Sequence, residues 1–153
     1  SIEWRDLPGQ IGPVLRRAVP AILVFLALLI PYLIWDVNAL IDDVWRWSSG
    51  TAEVPYQIRG WGLANFVLAL GLVESRLSYW PFWIPELLIA VPLLALTLRQ
   101  QMRYNRLDTA CWGYGVLLMG FLFASRFLNE NYLGYILAFL AMGALAAPSE
   151  ESS

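Results

Sequence analysis

The chain has 153 residues, 59% hydrophobic and 14% charged, with ten basic and twelve acidic side chains and a formal net charge of −2. A soluble domain carries about 45 to 50% apolar and about 25% charged residues, so this composition belongs to a lipid-embedded protein, and it lacks the basic excess a nucleic-acid binder needs to neutralise phosphates. All ten basic residues are Arg and there is neither histidine nor lysine, which removes Ser-His and Cys-His nucleophiles, histidine-ligated metal or haem, and Schiff-base chemistry.

The N-terminal segment 1–17 reads SIEWRDLPGQIGPVLRR; Arg16 and Arg17 stand directly before Ala18–Trp35, eighteen residues without a charge. A bilayer core of about 30 Å needs roughly 20 apolar helical residues, so this run predicts a first span. Positive charge favours the cytoplasmic side and puts the segment 1–17, with Arg5, Arg16 and Arg17, inside. Pro31 is expected to kink the span. Ser1 in place of Met fits a processed chain or a piece of a longer one.

Beyond the first span, Asn38–Trp47 (NALIDDVWRW) predicts a short helix on the membrane surface, capped by Asn38 with Asp42 in its first turns. The adjacent Asp42 and Asp43 suggest a divalent cation or sugar transfer, since two carboxylates can hold a cation. Neighbouring helical residues diverge by about 100°, however, and the pattern fits a solvated polar face better. Gly60–Val73 (GWGLANFVLALGLV) has fourteen residues, the length of a re-entrant or interfacial segment rather than a span.

Further spans are predicted at Pro81–Leu98, Thr109–Ser125 and Tyr132–Ala147, with Pro85 and Pro92 expected to kink the second. The loop between the second and third carries Arg99, Arg103 and Arg106 against Asp108 and is assigned to the cytoplasm. The lone Cys111 lies within an apolar run and reads as a small buried residue. The eight Trp lie at or near the ends of apolar runs, as interfacial belts do, and no cofactor is predicted. The fold class is therefore all-α: an integral membrane bundle of about four transmembrane helices plus a short re-entrant or interfacial helix. It forms a single membrane domain over 18–147 with a polar tail at 148–153 and both termini cytoplasmic.

Two charges lie closest to the hydrocarbon, where each costs at least about 2.5 to 3.5 kcal/mol at the centre: Glu86 in WPFWIPELLIAVP and Arg126 in FASRFLNENYLGY. Arg126 with Asn129, Asn131 and Tyr132 offers a planar fork and polar groups to a lipid phosphate. The same arginine is also placed to lock two helices together through an ion pair with Glu86.

In order along the chain, PYLIWDVNALIDDVWRW, PYQIRGWGLANFVLALGL, YWPFWIPELL and ASRFLNENYLGYILAFLA resemble the C-terminal membrane region of bacterial multi-spanning glycosyltransferase-like proteins of the GT-C class. The resemblance runs from about Pro31 to Ala144 and implies sugar transfer from a polyprenyl-phosphate donor on the outer face of the bacterial inner membrane. The family's catalytic acids sit in the first outer loop of a larger N-terminal region, and Asp42 and Asp43 do not occupy that place, so no catalytic residue is assigned. Two functions are expected. One is a non-catalytic module serving as a scaffold or peripheral subunit of a larger membrane assembly, with membrane lipids and other subunits as partners. The other is the lipid-carrier-binding part of a glycosyltransferase, with polyprenyl phosphate as its ligand.

Overall fold

The computed structural model describes residues 7–147; Ser1 to Asp6 and the tail 148–153 lie outside the described residues. The first helix, α1 (Leu7–Ile41), breaks at Asp36, where φ is −158° and ψ is 97°. The cause is a side-chain cap: Asp36 Oδ1 accepts the Ala39 backbone N–H at 3.0 Å, the bond with which an aspartate starts a new helix. Asp36, two residues before the expected Asn38, therefore caps the helix that follows. That helix continues through a π-helical turn at Asp42–Arg46 into α2 (Trp47–Ser49). An exposed ion pair, Arg46 to Asp42 at 2.8 Å, spans the π turn.

The bundle consists of α4 (Trp83–Tyr104), α5 (Leu107–Ala124) and α6 (Glu130–Leu145), with α5 packed against both neighbours. Asn105 adopts the left-handed conformation, φ 45°, and ends α4 by donating its backbone N–H to Gln101 at 2.7 Å, as an Asn after a helix C-terminus does. Arg106 is extended, and its guanidinium grips Asp108 in the first turn of α5 through two bonds of 2.9 and 2.6 Å. The carboxylate also faces the positive end of the α5 dipole. This two-residue link folds α5 back along α4. Gly120 lies against Leu93 and Ile89, Gly115 against Leu140, and Gly143 against Trp112; such small residues let helix backbones approach closely without a hydrophobic force between them. Pro85 sits in the first turn of α4, where no intrahelical bond is lost, so it starts the helix rather than kinking it. Pro92 is the proline in its interior.

Three helical stretches are long and apolar enough to cross a membrane: Ala18–Ser49, Trp83–Tyr104 and Leu107–Ala124. Helix α6 is shorter, at 16 residues. None of the apolar window of the first stretch is buried, and the main packing contacts of α1 are with the π turn that continues it.

Residues 50–82 form a small cap with its own core: Ile58, Ala64, Val67 and Phe82 are buried together. It contains β1 (Arg59–Gly60) and α3 (Leu63–Ala69). Seven residues of helix are about 10 Å long, a third of a bilayer core, so α3 is too short to cross. It sits at the end of α5, with Gly62 against the Phe123 backbone. β1 pairs in parallel with β2 (Phe127–Leu128), Arg59 opposite Phe127 and Gly60 opposite Leu128. The Trp61 N–H extends the pairing to the Leu128 carbonyl at 2.8 Å. Below it Leu122, Leu128 and Ile136 form a second cluster. The cap is thus sewn to the α5–α6 connection.

That seam requires glycine at position 60, which has φ +97° and where a Cβ would overlap the Leu128 carbonyl. Gly71 has φ +65° but open space around it. A left-handed residue costs an alanine about 1 to 2 kcal/mol at either site, and Gly60→Ala adds a backbone collision. Thermal unfolding of detergent-solubilised protein, followed by tryptophan fluorescence, is expected to show Gly60→Ala less stable than Gly71→Ala by about 2 kcal/mol. Equal losses would contradict the close approach of β1 to β2.

Candidate functional site

Helix α5 ends where Ser125 turns extended, φ −74° and ψ 166°. Its hydroxyl lies 2.7 Å from the carbonyls of both Leu122 and Phe127 and donates to one at a time. The turn swings the next side chain, Arg126, out of the helix axis and into the cap. There it is 1% exposed, the largest fully buried side chain among the described residues.

The guanidinium donates to three backbone carbonyls: Nε to Tyr56 at 2.6 Å, one terminal nitrogen to Ser78 at 3.0 Å and the other to Arg76 at 3.4 Å. The Arg126 carbonyl in turn accepts the Arg59 N–H at 3.3 Å. One residue therefore gathers two segments of the cap, 50–59 and 76–82, onto the end of α5. A Cβ at Gly50, where φ is +86°, would overlap the guanidinium, so the chain leaving α2 passes directly over it. Burial pushes the Arg126 pKa below its ordinary value. An arginine still keeps its proton in a protein, because its free pKa lies above about 12. The buried charge is thus balanced by carbonyl dipoles, and among the described residues no carboxylate forms an ion pair with it.

Tyr56 supplies the shortest of these bonds and is itself fixed by stacking. Its ring lies 4.5 Å from Trp47 and 4.7 Å from Phe127, its N–H donates to the Trp47 carbonyl at 3.0 Å, and its hydroxyl accepts the Asn129 Nδ2 at 3.0 Å. Asn129 is thereby brought into the cluster. Tyr132 instead packs with Leu122, Leu128 and Ile136, and Asn131 is exposed on the first turn of α6. Neither lies at the guanidinium.

Glu86, in the first turn of α4, meets Arg126 across a cavity of about 210 Å³ lined also by Trp45, Ser48, Trp83 and Phe121. The expected Glu86–Arg126 ion pair does not form, since the guanidinium is turned to the cap carbonyls. Phe121 also lines an apolar groove of about 340 Å³ between α4 and α5, with Leu87, Val91, Leu94 and Tyr114. A further pocket of about 200 Å³ continues along the same seam to Thr97 and Gln101. From Glu86 to Gln101 the seam is about 22 Å long. Chemically this is a narrow polar head over an apolar slot, the shape of an amphiphile with one chain.

Residues that sequence reasoning passes over complete the site: Gly50, Ser48 and the carbonyls of Tyr56, Arg76 and Ser78. The glycine in SSGTAEVPY is the one sequence signal among them, marking a left-handed turn. Backbone carbonyls leave no signature.

Arg126→Gln orphans the Tyr56 and Ser78 carbonyls, the Arg76 carbonyl keeping the Ile58 N–H, at about 1 to 3 kcal/mol for each unsatisfied group, and is expected to lower stability by on the order of 3 kcal/mol. Arg126→Lys restores only part, because a point ammonium cannot copy the planar fork. Glu86→Gln is expected to be mild, and the double variant additive within about 0.5 kcal/mol. Chemical denaturation of the four proteins measures this, and a double variant more stable than Arg126→Gln alone would restore the ion pair.

No protein-family model matches the chain, and neither a curated protein nor a solved structure does.

Proposed function

We propose that this chain is a non-catalytic integral membrane module, related to glycosyltransferase membrane regions, that serves as a scaffold or peripheral subunit of a larger assembly in the bacterial inner membrane. The observation that carries this reading is α1, whose stretch Ala18–Trp35 is uncharged and which stands clear of the bundle, none of its membrane-length window buried. Lipid tails satisfy its surface, but a helix that none of the other described helices packs closely against is also open to helices of a neighbour, whose association in lipid is driven by packing. The capped α4–α6 bundle anchors the module and holds a rigid platform at one membrane face.

In this reading α1, α4, α5 and α6 cross the bilayer. The 16-residue α6 is about 24 Å long and is accommodated by local thinning. Arg16 and Arg17 then share the cytoplasmic side with Arg99, Arg103 and Arg106, and the cap with α3 lies outside, consistent with the positive-inside bias.

A second reading is favoured by the seam between α4 and α5: the chain is the carrier-binding part of a polyprenyl-phosphate-dependent glycosyltransferase whose catalytic acids lie elsewhere. An apolar slot of about 340 Å³ suits a lipid chain.

Photo-crosslinking residues at Leu28 on α1 and Leu88 on α4, both exposed, separate the two in native membranes. The module reading expects one discrete protein adduct from Leu28 and lipid adducts alone from Leu88; lipid adducts from both would contradict it. The carrier reading expects co-purified polyprenyl phosphate that is lost in Val91→Trp, where the indole fills the slot.

A further inference from the structure

The cap carries a second polar recess, of about 430 Å³, that shares no lining residue with the Arg126 cavity. Its volume lies within the range of small-molecule sites, about 300 to 1,000 Å³. Arg59 and Arg76 line it together with Trp61, Asn65, Asn129 and Glu130. Arg59 comes from β1 and Arg76 from a turn of the cap, and their backbones are fixed: the Ile58 N–H donates to the Arg76 carbonyl at 2.7 Å, and the Arg59 N–H to the Arg126 carbonyl at 3.3 Å. Neither forms an ion pair with any described carboxylate, so two guanidinium forks stand at one recess with their charge unopposed at contact distance.

The recess also holds acceptors. Asn129 lines the recess, but its Oδ1 is buried away from solvent and its Nδ2 donates to the Tyr56 hydroxyl at 3.0 Å, so the acceptors open to a ligand are those of Asn65 and Glu130. Glu130 at the rim disfavours a bare anion but accepts a hydroxyl. Trp61, 57% exposed, offers an apolar face to the carbon skeleton between them.

We infer that this recess binds a phosphate ester that also carries hydroxyl groups, of the glycerophosphate type. Arg59 and Arg76 take the phosphate oxygens, in the bidentate manner for which guanidinium is suited. Glu130 takes a hydroxyl, and Asn65 supplies an amide to either group. A phosphatidylglycerol headgroup and a soluble glycerol phosphate present the same chemistry. The inference does not rest on the assembly or carrier reading, since it uses none of α1 or the α4–α5 seam.

The test uses the full chain in phosphatidylcholine nanodiscs. In one arm glycerol 1-phosphate, inorganic phosphate and glycerol are titrated against tryptophan fluorescence, with Trp61→Phe identifying the reporting ring. In the other, phosphatidylglycerol is mixed into the disc and retained lipid is counted by native mass spectrometry. Saturable binding of glycerol 1-phosphate, stronger than of either fragment, supports a soluble ligand; selective retention of phosphatidylglycerol supports a lipid headgroup. In whichever arm responds, Arg59→Gln with Arg76→Gln is expected to weaken binding at least tenfold. The cap's own bonds at these positions use backbone atoms, so they survive the substitutions, and the single Arg76→Gln replaces the double if the double does not fold. No response of the wild type in either arm, or a response the arginine variants leave unchanged, would overturn the inference.

Discussion

A single buried guanidinium holds the cap of this protein to its bundle. Arg126 lies just past the end of α5, and its three bonded carbonyls come from residues 70, 48 and 50 positions away in sequence. Few side chains can do this. The fork presents five donors in fixed directions, so it closes loops that have no regular ladder of their own beyond two residue pairs of parallel strand. The charge is what makes the arrangement demanding: with no carboxylate bound to it, its burial is tolerable only while carbonyl dipoles converge on it. Removing the arginine therefore leaves the carbonyls exposed to loss, and removing the carbonyls would leave the charge stranded.

Around that point the structure divides by where its core lies. The cap has a compact core of Ile58, Ala64, Val67 and Phe82. The bundle is apolar outward: α4 has no buried residue at all, and its packing relies on glycines of α5 and α6 that bring backbones together. Helix α1 goes further and stands apart beyond the break at Asp36. The cap thus gives the molecule its shape at one end, while the bundle and α1 give it apolar surface for lipid or other helices.

Much of this is legible in the sequence, for reasons of length. Uninterrupted apolar runs of about eighteen residues leave little choice but a long helix, and the fourteen-residue Gly60–Val73 run was too short to join them; its helical part is α3. The importance of Arg126 is likewise legible, because a charge beside an apolar run is expensive and demands an explanation. Its partners are not, since any residue brings a carbonyl and only the folded path of 50–82 decides which three converge. The expected pairing with Glu86 follows from charge alone and misses that geometry. The cap at Asp36 escapes for a subtler reason: Asp and Asn cap equally well, and the choice rests on where the backbone leaves the helix. Arg59 and Arg76, far apart in sequence, become a pair only when β1 and the turn that carries Arg76 are laid side by side. The kink expected from Pro85 fails because Pro85 falls in a first turn.

The claim that Arg126 staples the cap is tested most directly by amide hydrogen exchange, resolved by residue, in wild type and Arg126→Gln. The account predicts that the Ile58, Arg59 and Trp61 amides, bonded respectively to Arg76, Arg126 and Leu128, lose protection in the variant while the amides of α4, α5 and α6 stay slow. Unchanged protection across residues 50–82 in a folded variant would contradict it.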